Sequence, residues 1–150
     1  MGKIGVSGFN HTAFVVSDLD RAIGFFRDLL GFELTSRAPR NPKAIQDMTG
    51  LADVDIEVAY LRGLDHWIEL IRYEAPADRG RPLPKIFQDG AGHIAFDVDD
   101  AAAAVREARA YGLLPIGEIV TIDQGPNQGR KVVYLQSSDG LSVEFIQAPH

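Results

Sequence analysis

The strongest constraint on this chain is an internal repeat. Residues 8–23 read GFNHTAFVVSDLDRAI and residues 90–105 read GAGHIAFDVDDAAAAV; at an offset of 82, seven of the sixteen positions are identical. Each copy has a short apolar strand, then an Asp in N-cap position, then a helical stretch. The first helix, Leu19 to Leu30, stops at Gly31 and the second, Ala101 to Tyr111, stops at Gly112. Asp opening and Gly closing a helix is the expected capping asymmetry. The repeat runs on more loosely: VDIEVAYL (54–61) precedes HWIELIRY (66–73), and KVVYLQ (131–136) precedes LSVEFIQ (141–147). The intervening turns, Arg62-Gly63-Leu64-Asp65 and Ser137-Ser138-Asp139-Gly140, have hairpin chemistry. A chain of this kind is predicted to be α+β, with two modules at 8–74 and 90–148 and a Pro-rich linker at 75–89.

The repeat also pairs polar residues: His11 with His93, and Glu69 with Glu144. Side chains alternate along a strand. His11, Ala13 and Val15 therefore share one face, opposite Thr12, Phe14 and Val16. His93, Ala95 and Asp97 likewise oppose Ile94, Phe96 and Val98. Glu69 opposes Ile68 and Leu70, and Glu144 opposes Val143 and Phe145. The bulky apolar face is the one that packs on helices, so all four polar residues fall on the other face. Halves packed about a pseudo-twofold axis would form a cavity lined by two imidazoles and two carboxylates. Mixed nitrogen and oxygen donors of this kind suit one divalent ion of Ni, Co, Mn, Fe or Zn. A dication also removes the cost of two glutamates without a counterion.

Other polar residues have weaker claims. His66 lies three before Glu69 and points the opposite way, as a turn or surface histidine does. His150 is terminal. Trp67 and Ile71 flank Glu69 on the cavity side as an apolar substrate wall, and Asp97 is a pocket candidate on the His93 face. The loop Gln124–Lys131 leads into a strand rather than a helix, so it is not a phosphate loop; its cations Arg130 and Lys131 are candidates to close over an anionic ligand. Segments 37–53 and 123–131 read as loops around the pocket.

Composition narrows the chemistry. The 150 residues contain no Cys, which leaves out disulfides, zinc-finger sites, iron–sulfur clusters and thiol nucleophiles. The net charge of −6 divides evenly, −3 in residues 1–80 and −3 in 81–150, with no basic patch for nucleic acid. No stretch reaches the roughly 20 apolar residues that span a bilayer, and the N-terminus lacks the apolar run of a signal peptide. A cytoplasmic protein with a small-molecule substrate and no nucleic-acid or membrane partner is expected.

The paired pattern, Gly8-Phe9-Asn10-His11 through Gly31-Phe32 and Gly92-His93-Ile94-Ala95-Phe96 through Gly112, resembles the vicinal oxygen chelate superfamily. That group includes glyoxalase I, methylmalonyl-CoA epimerase, extradiol dioxygenases, and the fosfomycin and bleomycin resistance proteins. Val133-Tyr134-Leu135 through Asp139-Gly140-Leu141-Ser142-Val143-Glu144-Phe145 resembles the family's usual ending, with Ser137-Ser138-Asp139-Gly140 in place of Asp-Pro-Asp-Gly. The resemblance implies tandem βαβββ modules that curl a mixed sheet around a metal cavity, helices on the outer face, and a homodimer. It also implies metal ligands at His11, Glu69, His93 and Glu144. Glutamate at the second ligand position matches bacterial glyoxalase I, whereas epimerases place Gln there and ring-cleaving dioxygenases use two His and one Glu.

A glyoxalase-like lyase or isomerase is therefore expected. Its ion would bind a substrate through adjacent oxygens, stabilising an enediolate or enolate. Glu144, with Glu69 opposite, would transfer a proton alpha to a carbonyl. The alternatives are an extradiol-type dioxygenase, an acyl-CoA epimerase and a metal-free drug-binding resistance protein; thiol transfer to an epoxide antibiotic is a lesser one.

Overall fold

The structure is a computed structural model that describes residues 2–80 and 85–149. Part of the expected linker and the terminal His150 lie outside the described residues. Strand β1 (Thr12–Val15) leads into helix α1, whose first part is Leu19–Gly24 and whose second, Phe25–Leu29, is wound as a π-turn. β2 (Glu33–Pro39), helix α2 (Pro42–Thr49), β3 (Asp55–Gly63) and β4 (His66–Ala75) complete the first half. The second half comprises β5 (Ile94–Val98), α3 (Ala101–Ala108) with a 3₁₀ turn at Arg109–Tyr111, β6 (Leu114–Pro115), β7 (Val120–Thr121), β8 (Lys131–Gln136) and β9 (Ser142–Gln147).

The capping predictions hold at atomic detail. Asp18 accepts a hydrogen bond from the Arg21 N–H at 2.9 Å, and Asp100 accepts one from the Ala103 N–H at 2.9 Å. Each satisfies one of the donors that a helix start leaves unpaired. Gly31 and Gly112 close the two helices at φ 77° and 76°, in the left-handed region where a Cβ is costly.

Two mixed sheets result. The first has the order β1-β4-β3-β2 and the second β5-β9-β8-β6, with β7 also on β8. In each, the opening strand lies parallel to the closing one, and every other pair is antiparallel. Registers repeat as the sequence does: Ala13 pairs with Glu69, and Ala95 pairs with Glu144. The helix-bearing faces of both sheets merge in one core that includes Phe26, Leu70, Phe96 and Phe145. Phe26 joins the halves, its ring 5.7 Å from Phe32 and 6.4 Å from Phe96.

One prediction needs correcting. Segment 37–53 is not a pocket loop: β2 runs to Pro39, and Pro42–Thr49 is helical. Asn41 caps this helix, accepting from the Lys43 N–H at 2.9 Å; Pro42 starts it, and Gly50 at φ 73° ends it. Ile45 anchors it in a second apolar cluster with Val54, Ile56 and Val58, against which Tyr60 and Ile71 pack.

Candidate functional site

Strand alternation turns Ile68 and Leu70, Val143 and Phe145 into the core, each fully buried. It leaves Glu69 and Glu144 on the opposite faces, with 15% and 13% of their side chains exposed. His11 and His93 stand two residues before Ala13 and Ala95, the partners of those glutamates. The consequence is two equivalent pairs. His11 Nε2 lies 2.8 Å from Glu69 Oε2, and His93 Nε2 lies 3.1 Å from Glu144 Oε2.

Each pair is accompanied by a tyrosine that the reading of the repeat overlooked. The hairpin registers set Tyr60 against Glu69 and Tyr134 against Glu144. The rings meet the histidines edge to face, at 5.9 Å for Tyr60 and His11 and 5.0 Å for Tyr134 and His93. Burial raises the Tyr60 phenol above its ordinary range, and the charge and hydrogen bonding of Glu69 raise it further. Burial and the Glu144 charge do the same to Tyr134. Both phenols therefore stay protonated at neutral pH.

The donor set fits a divalent ion. In the first pair, His11 Nδ1 is 2.6 Å from Asn10 Oδ1, which can only accept, so the proton is assigned to Nδ1. The Nε2 edge of the ring then faces a Glu69 carboxylate oxygen, so the two could serve as neighbouring nitrogen and oxygen ligands of one ion. Among the described residues, neither Glu69 nor Glu144 pairs with a Lys or Arg. Two poorly solvated carboxylates without cationic partners are what a dication offsets.

Within one chain the two pairs remain separate. Among the described residues, no three His, Asp or Glu side chains gather closely enough to hold an ion. The reason lies in the packing: the sheets join through their helix-bearing faces, which leaves the two His–Glu faces open.

The remaining candidates sort by face. Trp67 lines a hollow with Phe9, Asn10, His11 and Tyr60, and the Arg62 guanidinium stacks on its ring at 5.6 Å. Ile71 is on the Glu69 face but is covered by the α2 cluster. Asp97 and Arg130 pair with each other at 3.1 Å beyond the Glu144 end of the second sheet. Lys131 sits with Asp100 and Ala101 at the start of α3, on the helix side. His66 points away from Glu69, as expected, bonded to Thr12 Oγ1 at 2.8 Å and stacked on Phe9.

Comparisons with known proteins bear on the family and the fold. The family model for the Glyoxalase/Bleomycin resistance protein/Dioxygenase superfamily matches residues 8–145. The chain is 36% identical to a 2-epi-5-epi-valiolone epimerase of Actinomyces sp, covering 99% of this chain and 83% of that protein. It is 32% identical to the lactoylglutathione lyase of Haemophilus influenzae, covering 91% and 90%, and 27% identical to the mitochondrial methylmalonyl-CoA epimerase of Homo sapiens, covering 93% and 73%. Among solved structures, a glyoxalase family protein from Bacillus cereus superposes with a TM-score of 0.82 at 25% identity, covering 100% of this chain and 99% of that one. No described helix is long and apolar enough to cross a membrane. The chain belongs to the glyoxalase/bleomycin resistance protein/dioxygenase superfamily.

Proposed function

We propose that the protein is a metal-dependent lyase or epimerase that moves a proton alpha to a carbonyl in a small molecule bound through adjacent oxygens. The observation that carries this reading is the equivalence of two His–Glu pairs, at 2.8 and 3.1 Å, on corresponding faces of two repeated sheets. Relatives named as a lyase and as epimerases support the reaction class.

His11, Glu69, His93 and Glu144 are the residues that would hold the ion, so 8–74 and 90–148 are two halves of one working site. Since the pairs lie apart in a single chain, a second copy of the chain is the partner that brings them together. When bound, a divalent ion supplies positive charge to two adjacent substrate oxygens and so acidifies the neighbouring C–H. Glu144 takes that proton as general base and returns it, or Glu69 returns it to the opposite face of the planar intermediate. One carboxylate acting alone gives the lyase or isomerase outcome, and two acting from opposite sides give epimerisation. Trp67 and Phe9 line the hollow beside His11 and offer an apolar wall to the carbon skeleton of a substrate.

The test joins elemental analysis of the native protein to proton exchange. One divalent ion per chain is expected, with solvent deuterium entering at the carbon alpha to the carbonyl in at least one of S-lactoylglutathione, methylmalonyl-CoA and 2-epi-5-epi-valiolone. Absence of stoichiometric metal would favour a binding protein instead. Oxygen consumption with a catechol, without deuterium exchange, would favour ring cleavage.

A further inference from the structure

Tyr60 and Tyr134 occupy the same place in the two halves. Each is on the strand antiparallel to the one that carries the glutamate, directly opposite it: Tyr60 on β3 facing Glu69 on β4, Tyr134 on β8 facing Glu144 on β9. Directly opposed side chains on one face of a sheet have Cβ atoms about 5 Å apart, close enough for a phenol to reach a carboxylate. Each ring also abuts the histidine of its own half edge to face. One aromatic residue thus abuts the histidine and stands opposite the glutamate of each pair, once in each sheet.

The surroundings hold the rings in place. The neighbours Ala59 and Leu61, and Val133 and Leu135, are buried in the shared core and fix the strands that carry the tyrosines. Tyr60 is also packed against the Ile45 cluster beneath α2, with the Arg40 guanidinium 5.9 Å from its ring centre. Tyr134 borders a hollow with His93, Ile86, Ile116 and Ser142.

We propose that Tyr60 and Tyr134 are positioning residues, each orienting one His–Glu pair so that imidazole nitrogen and carboxylate oxygen converge on the same divalent ion. This rests on the metal-dependent reading above. The ring limits rotation of the imidazole, and the hydroxyl donates to the carboxylate oxygen that is not needed for the ion. A ligand held this way loses less freedom on binding, and partners of this kind typically contribute about 10- to 100-fold in metal affinity. Neither residue removes or returns the substrate proton.

The experiment compares the full-length protein with Tyr60→Phe, Tyr134→Phe and the double variant. Co²⁺ is titrated by calorimetry and followed by visible absorption, with the thermal midpoint of the metal-free protein measured alongside. The expected result is about a 10- to 100-fold weaker Kd in each single variant, a changed Co²⁺ absorption band, and an unchanged metal-free midpoint. Phe keeps the ring and its packing, so a change confined to the metal-loaded form isolates the hydroxyl. Wild-type affinity and spectrum in the double variant would overturn the proposal. So would a lowered midpoint with an unchanged spectrum, which marks the tyrosines as structural. Wild-type protein that binds no Co²⁺ would overturn the metal reading itself, and this proposal with it.

Discussion

The Asp139 carboxylate accepts two hydrogen bonds from Ser17, 122 positions away: from its backbone N–H at 2.7 Å and from its hydroxyl at 3.0 Å. Ser17 ends the approach from β1 to α1, and Asp139 sits in the β8–β9 turn, so the contact ties the first half to the second. Ser137 Oγ bonds the same carboxylate, whose turn closes at Gly140 with φ 92°.

That contact has a pH signature. Burial works to raise the Asp139 carboxyl, but the bonds from Ser137 and Ser17 and the Arg21 charge hold it below the usual carboxylate value. A depressed folded pKa contributes stability that is present above the unfolded value of about 3.9 and is lost as pH falls through the folded value. Asp139→Asn should therefore cost about 1–3 kcal/mol at pH 7. In urea melts the difference from wild type should shrink steadily as the pH is lowered through 4. A cost that stays constant as the pH is taken well below 4 would show that the carboxylate charge is irrelevant.

Phe26 tests how tightly the halves are joined. It is fully buried and touches the rings of Phe14, Phe25, Phe32 and Phe96, the last from the second half. Phe26→Ala removes a ring that close packing leaves no neighbour free to replace, at a cost of about 3–5 kcal/mol. Equilibrium denaturation should show one transition at a lower midpoint. Two separated transitions would mean that the halves unfold independently.

The β3–β4 turn is a stabilisation target. Leu64 and Asp65 both adopt left-handed backbone, at φ 51° and 55°, as a two-residue hairpin turn of this type requires. Leu64 is 76% exposed, so no packing compensates its strain. Replacing the pair by Asn-Gly should add about 1 kcal/mol, read as a higher urea midpoint with an unchanged slope. Asn-Gly keeps the two-residue turn and with it the register that sets Tyr60 opposite Glu69, so Co²⁺ affinity should be unaltered.

Much of this arrangement was legible in the residues. Period-two alternation was enough to turn His11, Glu69, His93 and Glu144 away from the core, since Ile68, Leu70, Val143 and Phe145 had to face it. The tyrosines were within reach as well. A two-residue turn at Leu64-Asp65 pairs Gly63 with His66 and, counting back, Tyr60 with Glu69; turn length, not composition, was the missing datum. Helix α2 was harder to see because it is short and buries only Ile45, although Asn41-Pro42 and Gly50 mark its ends. The separation of the two pairs was not legible at all. It depends on which faces of the two sheets join, and both choices bury apolar side chains.

Asn10 has no counterpart in the second half, where Gly92 precedes His93. Its Oδ1 places a proton on His11 Nδ1, which would leave Nε2 for the ion of the proposed function. Asn10→Ala should weaken Co²⁺ binding about 10-fold without moving the metal-free thermal midpoint, because the bond lies at an exposed end of β1. An equal loss from Gly92→Ala would indicate that the backbone path, rather than the amide, matters.

The two glutamates should separate by role once a substrate that exchanges deuterium is found. If Glu144 is the base, Glu144→Gln keeps an oxygen donor of nearly the same shape but loses the basic site, so kcat should fall by about 10²–10⁴-fold. Glu69→Gln retains the Glu144 base but removes a charge that faces the ion. It should raise the Kd for Co²⁺ while leaving some exchange at saturating metal. Epimerisation adds a sharper criterion: with only one carboxylate left, deuterium should still wash into the starting isomer from one face while the inverted isomer ceases to form. Equal loss of exchange in both variants at saturating Co²⁺ would mean that the two carboxylates do not divide the proton transfer between them.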